Sequence, residues 1–250
     1  VVDNKLAAKT MQSFERSQMS DPRFKTALIV GAGSGLSAAL ARRFAKAGLR
    51  VGFAARNADK LAGLAAETGG TAFRCDATDL AEVKKLFADC IEKIGEPDVV
   101  VYNAAGRVRG PFIDLDPDLV ERALAIAAFG GFLVAQEAAK RMLPRRRGAI
   151  LFTGATASVK GFPHSSSFAM GKFALRGLAQ SLARELAPQG IHVAHFVIDG
   201  AIGPARGMAD GPQDNALDPD AIAESYFAVL EQPRSAWTWE VELRPWVEKF

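Results

Sequence analysis

The stretch Thr26-Ala-Leu-Ile-Val-Gly-Ala-Gly-Ser-Gly-Leu-Ser37 constrains this chain more than any other. It reads as a buried strand that runs into a glycine-rich turn and then into a helix. Gly31, Gly33 and Gly35 let the backbone turn tightly and come close to a pyrophosphate, and the free N–H groups of a helix beginning near Gly35 face the anion. Gly31-x-Gly33 fits the start of a dinucleotide fingerprint, while Leu36 stands where its third glycine belongs. A plain glycine loop is the other reading of the same residues.

The rest of the chain decides what kind of sheet this strand joins. With 250 residues, 49% hydrophobic and 24% charged, there is enough apolar material for one α/β domain, taken to cover residues 21–250. Residues 36–47 are alanine-rich and stop at Gly48, as a helix with a glycine end does. Residues 50–55 and 71–75 read as strands, with a helix over 57–66 between them. Leu80, Val83, Leu86, Phe87, Ile91 and Ile94 then recur at helical spacing. Residues 98–102 are an apolar run of the sort buried on both faces of a parallel sheet, and they lead into Asn103-Ala-Ala-Gly106. A long helix over 117–143, a strand over 149–153, a helix over 166–186 and a sixth strand over 191–198 complete the alternation. This order predicts an open, doubly wound parallel sheet. Residues 1–20 carry no clear strand and are set aside as an arm or a non-native extension, with Met19 as the natural start.

Charge and composition exclude several functions. The net charge is +3, with 31 basic residues scattered among 28 acidic ones, which gives no electrostatic case for nucleic acid. Arg145-Arg146-Arg147 is the one basic run, and it reads as a solvated turn beside Pro144 and Gly148. Two cysteines, Cys75 and Cys90, are too few for a disulfide framework or a zinc cluster and fit a reducing, cytoplasmic setting. His192 and His195 lie an odd number of positions apart on a strand, so they face opposite ways and share no metal. No apolar run reaches the roughly 18 residues that a membrane span needs.

One position bears on cofactor choice. About 20 residues beyond the glycines, an NAD site places Asp or Glu on the ribose hydroxyls. Here Ala55 is followed by Arg56, a cation that suits the 2′-phosphate of NADP(H) better than NAD(H). The alternative is that Arg56 is a solvated residue at the start of the next helix.

Taken together, the glycine turn with Gly31 and Gly35, Asp76 after the third strand, the Asn103-Ala-Ala-Gly106 turn and Lys172 in the helix before the sixth strand resemble the classical short-chain dehydrogenases/reductases. The resemblance runs from about Lys25 to Arg244. It implies a single-domain Rossmann fold with a seven-stranded parallel sheet, residues 239–243 forming the last strand. It also implies a nicotinamide cofactor and a homodimer or homotetramer packed through the helices over 117–143 and 166–186. Carried over residue by residue, the cofactor lies along Gly31, Gly33, Ser34, Gly35 and Leu36. Asp76 and Ala77 meet the adenine, Asn103 and Ala104 the adenosine ribose, Lys172 the nicotinamide ribose, and Gly200 and Ile202 the carboxamide.

The departures from that pattern carry as much as the matches. Family members place a Tyr four residues before the lysine as proton donor, a Ser thirteen before that Tyr, and an Asn on the long helix. This chain has Phe168, Ala155 and Ala127 there. Ser37 replaces a third family glycine, Asp199 a proline, and Pro204 a threonine. His164, in the loop before the Lys172 helix, is the nearest alternative acid, since imidazole titrates near pH 6.5; a solvated or structural histidine is the other reading. Tyr102 and Tyr226 are the chain's two tyrosines, and neither replaces Phe168 by position. Thr153, Thr156 and Ser165 offer hydroxyls that orient a substrate at most.

Two functions follow. One is an NADP(H)-dependent oxidoreductase acting on a small molecule without the usual tyrosine, with a conjugated double bond as the reacting group. Some dienoyl-thioester reductases similar to this family also lack that tyrosine. The other is a non-catalytic NADP(H)-binding sensor or partner subunit. Residues 203–218, rich in Gly, Pro and Asp, are expected to form a lid over the substrate.

Overall fold

The computed structural model describes residues 23–203 and 215–248. The expected arm over 1–20, and Pro204 with most of the expected lid, lie outside the described residues. Within them the chain forms seven strands: β1 Thr26–Val30, β2 Arg50–Ala55, β3 Thr71–Arg74, β4 Val99–Tyr102, β5 Gly148–Thr153, β6 Ile191–Ile198 and β7 Glu240–Leu243. They make one sheet in the order β3-β2-β1-β4-β5-β6-β7, and every neighbouring pair is parallel. The order turns back between β1 and β4, the crevice where such sheets bind nucleotides.

Alternation along the strands fills both faces. Ala27, Ile29, Val99 and Val101 enter one apolar layer, while Leu28, Val30, Val100 and Tyr102 enter the other. Each fully buried Leu, Ile or Phe contributes about 1.5–3 kcal/mol, and both layers are continuous under the helices. The helices are α1 Leu36–Lys46, α2 Ala62–Thr68, α3 Leu80–Ile94, α4 Pro117–Leu124, α5 Gly130–Met142, α6 Ser166–Leu186 and α7 Pro219–Leu230. A short 3₁₀ turn, Asp59–Leu61, opens the segment expected as one helix over 57–66.

The long helix expected over 117–143 is not uniform. Between α4 and α5 the residues Ala125–Phe129 form a π-helical turn. The wider turn frees carbonyls from the regular ladder, and the Tyr102 hydroxyl donates to the Ile126 carbonyl there. Ala127 sits inside this turn, 1% exposed. Gly171 of α6 packs directly on it: a Cβ at 171 would stand 2.6 Å from the Ala127 Cβ.

The basic run 145–147 is a second correction. Asp98 is buried at the amino edge of the sheet, and its carboxylate accepts from Arg145 Nη1 (2.9 Å), Arg147 Nη2 (3.3 Å) and the Lys25 backbone N–H (2.8 Å). A buried carboxylate needs opposite charge and donors around it, and two of the three arginines supply them. Only Arg146 keeps to the turn, donating to the Pro188 carbonyl at 3.3 Å.

Candidate active site

Two cavities open along the carboxyl ends of the strands and share Asn103 and Ala105. The first, about 920 Å³, is walled by the glycine turn, by Arg56, Asn57 and Lys60 after β2, and by Asp76, Ala77 and Thr78 after β3. The second, about 840 Å³, is walled by Arg107 and Arg109 after β4, by residues 153–157 after β5, by Phe168 and Lys172 of α6, and by Gly200 and Ile202 after β6.

The first cavity fits the nicotinamide dinucleotide that the glycine turn implies. Gly31 has φ +86°, and a side chain there would run into the Ala104 backbone, so only glycine lets β1 turn this close to the β4 loop. Gly33 and Gly35 have open space where a Cβ would be. Helices α3, α4 and α7 are each capped by an aspartate side chain, Asp79, Asp116 and Asp218. Helix α1 starts at Gly35 with no side-chain cap and no acid in its first turn, which leaves its N–H groups for an anion. Gly31, Gly33 and Ser34 line the cavity; the Leu36 side chain points instead into the core.

Polar contacts hold the walls in place. Asp76 Oδ1 accepts from the Thr78 N–H (3.0 Å) and hydroxyl (2.7 Å), and these bonds, with Arg56 and Arg74 nearby, hold its carboxyl below the usual range. Ser37, standing for a family glycine, donates to the Gly31 carbonyl (3.2 Å) and accepts from the Asn103 amide (2.6 Å). That link ties the glycine turn to the β4 loop. Lys60 is a cation the sequence reading missed; its spacing of four from Arg56 was the available signal.

In the second cavity Lys172 is buried, and its ammonium donates to the Thr153 carbonyl at 2.6 Å. Burial, and to a lesser degree Arg107, push the amine down from 10.5 to about 8. The Phe168 ring lies beside it, its centroid 5.9 Å from Lys172 Nζ and 4.0 Å from the Arg107 guanidinium carbon. Ala155 lines the same cavity, as do Thr156 and Ser165, whereas Ala127 does not. At the three positions that the resemblance singles out, the side chains of Phe168, Ala155 and Ala127 carry no oxygen or amide.

The other candidates stand elsewhere. His164 is exposed, with φ 61°, and lines neither cavity. Tyr226 is fully buried, shares a 2.8 Å hydrogen bond with the Thr153 hydroxyl, and burial pushes its phenol up. Tyr102 is likewise buried, with its hydroxyl committed to the π turn. His192 bonds the Thr238 carbonyl, and His195 bonds Glu240 at 3.1 Å while burial pushes its imidazole down to about 4. Cys75 and Cys90 are free thiols that burial pushes up to about 12. Among the described residues no group of three His, Cys, Asp or Glu is placed to hold a metal, and no helix is long and apolar enough to cross a membrane.

Comparison with known proteins agrees with this geometry. The family model described as short chain dehydrogenase matches residues 25–204. The short chain aldehyde dehydrogenase 1 of Euphorbia lathyris is 30% identical over 212 residues, 82% of this chain and 73% of its own length. A short-chain dehydrogenase from Rhodopseudomonas palustris is 36% identical, superimposes with a TM-score of 0.78, and the match covers 90% of this chain and all of that one. A metagenomic short-chain oxidoreductase solved in complex with NADP is 26% identical, with a TM-score of 0.76 over 88% of this chain and 97% of its own. The sheet order, the glycine turn and these matches agree: the chain belongs to the short-chain dehydrogenase family of NAD(P)-dependent oxidoreductases.

Proposed function

We propose that the protein binds NADP(H) in preference to NAD(H) and reduces a small molecule without a hydroxyl acid, a conjugated carbon–carbon double bond being the reacting group. The observation that carries this reading is Phe168 in a cavity where Lys172 is the sole described lining group that titrates near neutral pH. Arg56 and Lys60 hold the 2′-phosphate, the uncapped start of α1 with Gly31, Gly33, Ser34, Gly35 and Leu36 receives the pyrophosphate, and Asp76 and Ala77 border the adenine. Asn103 and Ala104 lie by the adenosine ribose, Lys172 by the nicotinamide ribose, and Gly200 and Ile202 by the carboxamide.

The bound nicotinamide supplies a hydride. Reduction of a ketone leaves charge on oxygen, and a positioned acid there contributes about 10²- to 10⁴-fold in rate. Phe168 offers no proton, and Ala155 no bond to the oxygen. For a conjugated double bond the proton ends on carbon, and water or Lys172 provides it. Simple ketones should therefore turn over very slowly with saturating NADPH. Phe168→Tyr with Ala155→Ser should raise that rate at least tenfold, followed at the NADPH absorbance. Fast ketone turnover by the unmodified protein would overturn this reading. NADPH binding with no turnover of any enone or ketone would make the protein a cofactor-binding sensor or partner subunit instead.

The same reading includes a homo-oligomer. Leu119, Phe129, Phe132, Met170 and Phe173 lie on the segments from α4 to α6 and stay 41–52% exposed, large apolar side chains that a second copy would cover. Light scattering should give a dimer or tetramer at micromolar concentration, and Phe132→Glu with Phe173→Glu should shift it toward monomer.

A further inference from the structure

Arg107 and Arg109 take no part in packing the sheet. They follow β4, both are exposed, and both line the second cavity with Phe162, Phe168 and Lys172. Most other arginines near a carboxylate are paired with one: Arg42 with Glu67, Arg43 with Glu224, Arg74 with Glu82, and Arg176 with both oxygens of Glu240. Neither Arg107 nor Arg109 has a carboxylate within ion-pair distance among the described residues, and no described residue lining the cavity is acidic. Three like charges are thus held around one space. The Arg107 guanidinium is pushed downward by its partial burial first and by Arg109 second.

The contact with Phe168 adds a direction. The Arg107 guanidinium lies 4.0 Å from the ring centroid, and a guanidinium seated on an aromatic face still offers its N–H groups as a fork. A fork of that kind matches the two oxygens of a carboxylate or phosphoryl group. A neutral ligand would leave the repulsion among Arg107, Arg109 and Lys172 as it is; an anion would relieve it. Phenylalanine at 168 also keeps an apolar wall where a tyrosine would have placed a hydroxyl, and Phe162 provides another.

We propose that the second cavity takes a ligand with an anionic head, a carboxylate or phosphoryl group, gripped by Arg107 and Arg109, with its carbon skeleton against Phe162 and Phe168. This deepens the function proposed above by naming a substrate class, and it rests on that reading for turnover but not for binding. The test is calorimetric titration of trans-cinnamate, its neutral amide cinnamamide, and phenylphosphonate into protein saturated with NADP⁺, after the affinity for NADP⁺ itself has been measured. Cinnamate should bind at least about tenfold tighter than the amide, as a charge-assisted pair does. Arg107→Gln with Arg109→Gln should erase the difference while changing NADP⁺ affinity less than about threefold, and the charge-keeping Arg107→Lys with Arg109→Lys should retain part of it. Whichever anion binds tighter names the head group, and either ranking supports the site. Equal affinity for acid and amide, a preference that survives the glutamine pair, or no binding of any probe to NADP⁺-loaded protein would overturn the inference. If NADP⁺ itself fails to bind, the cofactor reading falls, and the same titrations on the nucleotide-free protein still decide the anion site.

Discussion

Two groups of cations, one at each end of the strands, are treated in opposite ways. At the amino edge, Arg145 and Arg147 close on Asp98, and the Lys25 N–H completes the carboxylate's bonds. At the carboxyl edge, Arg56, Lys60, Arg107 and Arg109 line cavities, and none of them has an ion-pair partner among the described residues. Helix starts show the same contrast within one edge, where Asp79 caps α3 beside the first cavity and no side chain caps α1. Groups satisfied within the chain hold the fold; groups left open are available to a ligand.

The comparison breaks most visibly at Asp98. Asp98→Ala removes a buried carboxylate that accepts from two guanidinium groups and a backbone N–H, and losing charge-assisted bonds of this kind costs about 3 kcal/mol. Urea denaturation should show that loss, while the folded fraction keeps its affinity for NADPH. A change below about 1 kcal/mol would mean that the amino-edge cluster is decoration.

A smaller effect, with the opposite signature, is expected at the carboxyl edge. Arg56→Ala with Lys60→Ala should weaken NADPH binding about 10- to 100-fold and leave NADH binding unchanged, because only the 2′-phosphate is lost as a partner. Fluorescence titration of both cofactors reads this, and the thermal midpoint without cofactor should not fall. Equal affinity of the unmodified protein for the two cofactors would remove Arg56 and Lys60 from the site.

The smallest effect concerns Lys172. Its amine titrates at about 8 in the folded protein against an ordinary 10.5, so the unfolded chain binds the proton more tightly between those values. Stability from the neutral amine is therefore complete above about pH 10.5 and is lost as pH falls through about 8. Burial is the larger cause and Arg107 the lesser, so Arg107→Met should raise the Lys172 value by less than about one unit. Urea stability compared at several pH values from neutral to alkaline should then vary less with pH in the variant.

How much of this was legible depends on the range of the interaction. The sixth strand emerges from the sequence with both ends correct, since eight residues with six apolar ones among them, bounded by Gly190 and Asp199, have few other fates. The π turn was hidden because residues 125–129 carry no proline or glycine and keep the apolar pattern of an ordinary helix. Arg145 and Arg147 were misread because their partner lies nearly fifty residues earlier, and local composition cannot announce a pairing made only when β4 and β5 meet. Arg107 and Arg109 were missed although a signal existed: two cations at alternate positions of an extended stretch fall on one side of the chain.

The close approach of Gly171 to Ala127 has a further consequence, for the paths open to this sequence. Phe168 and Ala155 face a cavity, so Tyr and Ser can return there by single substitutions with room for the added oxygen. Ala127 faces a helix backbone instead, and an asparagine amide has to displace α6 or the π turn, at a cost of about 1–3 kcal/mol. Positions 168 and 155 thus accept the larger polar side chain readily, whereas position 127 accepts one only after neighbouring changes have reopened the space.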